Sequence, residues 1–231
     1  MSERAPYDSI AAVYDHHWGE VFAVVARSAI ASHLLGRLPS RAAVLDLCCG
    51  TGLIAGYLDS LGLQVSGVDE SARMLDIARV NTPRVRFQQA DMARFCYPEP
   101  FDAVVSLYNS MNHARSASHL QRTLSNVAAH LRPKGLFLFD YVGPEGFEHD
   151  WESSEQFDDE NRVWSLDYRY EPATGRACCV VNDCEIIPQI AFEAGQIRLA
   201  LEAAGFVVLH EGPMTDARPP AARTLVLAGK Q

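Results

Sequence analysis

Lysine is almost missing from this chain: it occurs only at Lys134 and Lys230. The 231 residues carry a formal charge of -9. A phosphate-rich polymer needs a clustered basic face, so nucleic acid is not an expected partner. No window is apolar for long enough to span a bilayer, and the opening "MSERAPYDSI" lacks the basic-then-apolar layout of a secretory signal. The expectation is a cytoplasmic protein, monomer or homodimer, that acts on a small molecule away from membranes. The cysteines are Cys48, Cys49, Cys96, Cys178, Cys179 and Cys184. They form neither a C-x-x-C pair nor a closely spaced triplet, which leaves reduced thiols and no metal. Internal repeats and low-complexity tracts are lacking too. At 48% hydrophobic and 21% charged, the composition suits one α/β domain, with or without an insertion.

What is present is a change of period. From about Tyr7 to Leu38 the pattern is helical, giving a cap over residues 1–40 that Pro39 ends. A core over 41–140 then alternates strands and helices. "AAVLDL", "LQVSGVD", "VRFQQAD", "FDAVVSLY" and "GLFLFD" read as strands, and Ser71 is placed to cap the helix "SARMLDIARV". Short continuous apolar strands predict a doubly wound, mostly parallel sheet covered on both faces. Ligands of such sheets sit beyond the carboxyl ends of the strands, where Asp46, Asp69, Asp91, Ser106 and Asp140 all fall. Over 141–190 the rhythm breaks. Glu145, Glu148, Asp150, Glu152, Glu155, Asp158, Asp159 and Glu160 precede a period-two stretch around a Pro-x-x-Gly turn, which predicts an inserted β-hairpin lid. Residues 191–231 supply a helix and the last strands.

The first strand delivers the chain to "CCGTG". Glycines there let a backbone approach a ligand at a helix N-terminus. Gly50, Gly52 and Ala55 match G-x-G-x-x-A, with Asp69 spaced to take a ribose diol, so a nicotinamide-dependent oxidoreductase is one possibility. Asp46 argues otherwise, because a carboxylate four residues before the glycines repels pyrophosphate and attracts an ammonium group. Asp91 offers an acceptor for an exocyclic amine. S-adenosylmethionine has an amine, a ribose and an adenine, and carries no phosphate.

The segments "VLDLCCGTG", "VSGVDESARMLDIAR", "QADM", "FDAVVSLYNSMNH" and "LRPKGLFLFD" resemble, in order and spacing, the motifs of the class I S-adenosylmethionine-dependent methyltransferases. "YDSIAAVYDHHW" resembles the N-terminal helix of small-molecule members. The resemblance implies a seven-stranded sheet with an antiparallel last strand. It also implies site roles. Asp46 with Cys48, Cys49, Gly50, Thr51 and Gly52 holds the methionine end. Asp69 takes the ribose, with Glu70 beside it and Met74 nearby. Asp91 and the Met92 N–H meet the adenine, and Ser106 and Leu107 meet the amino acid portion. Tyr14 approaches from the cap. Cys48 stands where members usually have glycine, a substitution that suits a residue with negative φ.

The reaction so implied is an in-line displacement at a sulfonium methyl, with Tyr14, Trp18 or Tyr108 near the cation. His113 is the candidate base, and a loop-ordering role is its alternative. The Asn-Pro-Pro-Tyr type motif of base and amide methylation is absent; "SLYN" stands there. A small amine or hydroxyl acceptor remains, covered by the insertion with Trp151, Trp164, Tyr168 and Tyr170, and its acidic stretch favours an amine. A Tyr-x-x-x-Lys donor for the oxidoreductase alternative is missing. A non-catalytic cofactor-binding domain is the third possibility.

Overall fold

Alternate residues of β1 (Ala43–Leu47) enter two different cores. Leu45 and Leu47 join one cluster with Val104 and Phe137; Val44 joins another with Ala103 and Val105. Successive side chains of a strand point to opposite faces, so β1 is buried on both sides of one sheet. Each such fully buried side chain contributes about 1.5–3 kcal/mol. This computed structural model describes residues 5–151, 153–159, 162–214 and 223–231.

The cap contains α1 (Ala11–Tyr14), a π-helical turn at Asp15–Gly19 and α2 (Glu20–His33). It is broken where a continuous helical pattern is expected. After β1 come α3 (Leu53–Ser60), β2 (Gln64–Asp69), α4 (Ala72–Asn81), β3 (Arg86–Gln89) and β4 (Phe101–Ser106). Then follow α5 (Ala117–His130), β5 (Leu131–Val142) and α6 (Pro144–Asp150). Ser71 caps α4 by accepting the Met74 N–H at 3.1 Å, as its position predicts.

The insertion is larger than the hairpin expected from its sequence. β6 (Ser154–Asp159), β7 (Arg162–Glu171), β8 (Arg176–Val181) and β9 (Glu185–Ile190) form a separate four-stranded antiparallel sheet. β7 and β8 are the recognisable hairpin, turning at Gly175 with φ +66. β6 was hidden by its charge, since "SEQFDD" has too few apolar residues to signal a strand. Glu152 and Glu160 of the acidic stretch lie outside the described residues. The chain then returns through α7 (Ala194–Ala203), β10 (Phe206–Pro213) and β11 (Arg223–Lys230).

The main sheet has seven strands in the order β10-β11-β5-β4-β1-β2-β3. β11 pairs antiparallel with both β10 and β5, and the remaining pairs are parallel. Strand order reverses between β1 and β4, which creates a crevice beyond their carboxyl ends. No helix among the described residues is long and apolar enough to cross a membrane.

Candidate active site

A cavity opens at that crevice. From the end of β1 and its turn come Asp46, Cys48, Cys49, Gly50 and Thr51. The β2 and α4 side gives Asp69, Glu70 and Met74; beyond β3 stand Ala90 and Met92. The segment after β4 adds Leu107, Tyr108, His113 and Arg115, and the cap covers the space with Pro6, Tyr7 and Tyr14. The fold thus gathers most of the residues singled out in the sequence. Three stand behind the wall. Gly52 is the N-cap of α3 at φ +83, where a Cβ would lie 3.1 Å from Ala78 Cβ. The Ser106 hydroxyl donates to Leu47 O at 2.9 Å. The Asp91 carboxylate is occupied by Arg115, His119 (2.9 Å) and the Ala93 N–H (2.7 Å).

The turn is shaped by carboxylates. Asp69 accepts the Gly50 N–H through Oδ2 at 2.8 Å and the Ser71 N–H through Oδ1 at 2.9 Å. Burial nevertheless raises its pKa to about 6, with Glu70 adding to the shift. Asp46 is 3% exposed and its Oδ2 has no partner among the described residues. Burial lifts its pKa to about 7; the Ala55 N–H opposes the shift and the Asp69 charge reinforces it. A buried carboxylate with an unused oxygen is costly, and a cationic ligand group satisfies it. The turn offers little to a phosphate, since the N–H groups of Cys49, Gly50 and Gly52 donate to Val68 O, Asp69 and Cys49 O. Nothing lies within 4 Å of a Cβ built on Gly50, so the turn's outer side is open. An orphaned acid, an open turn and a half-buried Asp69 with spare lone pairs fit the amine and ribose of S-adenosylmethionine.

Cys48 departs from expectation. Its φ is +61, in the left-handed region where glycine is at ease, instead of the negative value that would make a side chain comfortable. The strain sits in the cavity wall, where strained backbone tends to be functional. Tyr108 and Asn109 follow with φ +69 and +49. The buried Asp140 holds their turn: its Oδ2 accepts the Asn109 N–H at 2.9 Å and Arg223 Nη1 at 3.0 Å.

His113 Nδ1 lies 3.1 Å from Pro188 O and its Nε2 lies 3.0 Å from the Tyr7 hydroxyl. A carbonyl only accepts, so Nδ1 carries the proton and the Tyr7 hydroxyl donates to Nε2. Burial lowers the His113 pKa to about 4. Burial raises the pKa of Tyr7 and Tyr14 and keeps both neutral.

Sequence reasoning missed Tyr7, Arg115 and Asp15. Tyr7 lies within the quoted "YDSIAAVYDHHW", but its partner is 106 residues away. The Thr51 hydroxyl donates to Asp15, and the Ser71 hydroxyl to Asp8 at 2.6 Å, so the cap is tied to the turn and to α4. The insertion, expected as a lid or wall over the site, packs beside the cap and α6. Trp164, Leu166 and Tyr168 pack with Ile10, Val13 and Tyr14 of the cap, and Trp151 and Tyr170 pack with Phe147. Among the described residues, Pro188 alone of the insertion reaches the cavity wall, and none of the acidic stretch does. Trp18 packs against Phe157 instead of facing the cavity.

Residues 44–135 match the family described as Methyltransferase domain. The dTDP-3-amino-3,4,6-trideoxy-alpha-D-glucopyranose N,N-dimethyltransferase of Streptomyces venezuelae is 31% identical over 62% of this chain and 62% of its own. The chain spans about half the length of the curated relatives it matches. An S-adenosylmethionine-dependent methyltransferase from Clostridium acetobutylicum shares the fold with a TM-score of 0.79 at 18% identity, over 97% of this chain and 98% of that one. The sugar N-methyltransferase KedS8 from Streptoalloteichus shares it with a TM-score of 0.73 at 22% identity, over 100% and 95%. These comparisons lend nothing to the nicotinamide alternative. The match over residues 44–135, the curated relatives and the shared fold make this chain similar to the class I S-adenosylmethionine-dependent methyltransferases.

Proposed function

We propose that this protein transfers a methyl group from S-adenosylmethionine to the nitrogen of a small-molecule amine. The observation that carries this reading is the buried Asp46 Oδ2, without a partner among the described residues, in a cavity at the β1/β4 switch point. When bound, the cofactor supplies an electrophilic methyl group on a sulfonium. We assign its methionine end to Asp46, Cys48, Gly50, Thr51 and Leu107, its ribose to Asp69 and Glu70, and its adenine to the Met92 side, with Met74 packed alongside. Gly52, Asp91 and Ser106 act from behind the wall, shaping the turn, anchoring Arg115 and fixing the end of β1.

On the acceptor side, the Tyr7 proton is committed to His113, which leaves the Tyr7 oxygen to accept from an amine N–H. His113 thus acts on the acceptor through Tyr7. Tyr14 presents a neutral aromatic ring to the cationic centre. Holding the acceptor in line and excluding water supplies about 7–11 kcal/mol of the barrier. Two points favour nitrogen over oxygen. A neutral amine attacks without a strong base, and His113 at about 4 is a weak one. The relative from Streptomyces venezuelae is named for N,N-dimethylation of an amino sugar.

Incubation with S-adenosylmethionine and a panel of amino sugars, dTDP-linked amino sugars and matched hydroxyl analogues tests this by mass spectrometry. A gain of one or two methylene masses on the amines alone is expected. Methylation confined to the hydroxyl analogues contradicts nitrogen as the acceptor.

A further inference from the structure

A second cavity of about 410 Å³ adjoins the first, and the two share His113, Arg115 and Pro188 in their walls. Their charges are opposite. The first carries Asp46, Asp69 and Glu70 against Arg115. The second carries Arg115, Arg169 and Arg176 against Glu171, in a chain whose net charge is -9. Arg115 is already engaged by Glu70 and Asp91. Arg169 and Arg176 make no ion pair among the described residues.

Sheet register places those two arginines together. Arg169 of β7 lies opposite Cys178 of β8, and Arg176 lies two residues along β8, opposite Glu171. They are therefore diagonal neighbours on one face of the inserted sheet, with Cα atoms about 7–8 Å apart. Two guanidinium forks at that spacing suit an anion with several oxygens, such as a phosphate or diphosphate.

We propose that the second cavity seats an anionic phosphate group carried by the methyl acceptor, held by Arg169 and Arg176, while the acceptor's amine enters the first cavity past His113 and Pro188. The inserted sheet is then a substrate-binding wall that selects an amine with a negative tail. This rests on the first cavity being the methyl-transfer site.

Inorganic pyrophosphate and thymidine 5′-diphosphate, titrated calorimetrically into the full chain with and without saturating S-adenosylhomocysteine, test the seat directly. Both probes are expected to bind wild type and to bind at least tenfold more weakly to the R169Q/R176Q variant, whose S-adenosylhomocysteine affinity is unchanged. Much tighter binding of the nucleoside diphosphate than of pyrophosphate identifies the tail as a nucleotide; equal binding identifies a phosphate read by charge alone. Absence of binding by both probes, or equal binding by wild type and variant, overturns the proposal. Failure of S-adenosylhomocysteine to bind refutes the methyl-transfer reading separately, because titration of the free protein still reads the second cavity.

Discussion

Asp46 is the residue whose chemistry is most exposed to experiment. In an unfolded chain its carboxyl ionises near the ordinary value of about 3.9; folded, burial moves this to about 7. A carboxyl raised in this way contributes stability that is complete below the unfolded value and lost as pH rises through the folded one. The ligand-free protein should therefore lose stability between about pH 4 and 7, and Asp46→Asn should flatten that slope in thermal melts. Ligand binding has the opposite sense, because an ammonium group needs the carboxylate ionised. Affinity for S-adenosylhomocysteine should rise about tenfold from pH 6 to pH 8 in wild type and stay nearly flat in Asp46→Asn. A pH-independent affinity in wild type contradicts the assignment of this acid to the cation.

Cys48 offers a second test at the same scale. Its left-handed φ of +61 is uncomfortable for any side chain and worse for a β-branched one. Cys48→Val should cost about 1–2 kcal/mol and lower Tm by about 2–8 °C, whereas Cys48→Gly should not lower it to that extent. Calorimetric melting of the two variants decides. Equal losses in both would show that the thiol's packing, not the backbone, governs this position. The sequence shows a cysteine where glycine is usual, but residue identity does not reveal the sign of φ.

At the scale of elements, legibility followed burial. β1, β2, β4 and β5 were visible as apolar runs between glycine and proline signals, and Ser71 marked the start of α4. β3 was visible too, although it stops at Gln89 and leaves Asp91 beyond its end. β6 was not, because an edge strand with three acids carries no apolar period. The placement of the insertion was equally hidden. Its buried face meets residues of the cap more than 140 positions away, and such long-range pairing leaves no local trace. Leu166 is fully buried there with Ile10 and Val13. Leu166→Ala should destabilise by about 2–5 kcal/mol and loosen the cap together with the inserted sheet. Limited proteolysis should then cleave within residues 5–19 faster than in wild type. Cleavage confined to the inserted sheet would show that the two elements are not mechanically joined.

For the whole molecule, the sequence and the fold converge on one crevice. A parallel sheet reverses its order between β1 and β4, two raised acids flank the glycine turn there, and the cap closes over it through Asp8 and Asp15. The arrangement suits a small ligand that is cationic at one end and carries a diol. The most direct measurement is calorimetric titration of S-adenosylhomocysteine, and in parallel NADH, into wild type and Asp69→Ala. Binding of S-adenosylhomocysteine in the micromolar range is expected, weakened about 100-fold or more in the variant by loss of the charge-assisted hydrogen bonds to the ribose. Binding of NADH with no response to S-adenosylhomocysteine would contradict the account.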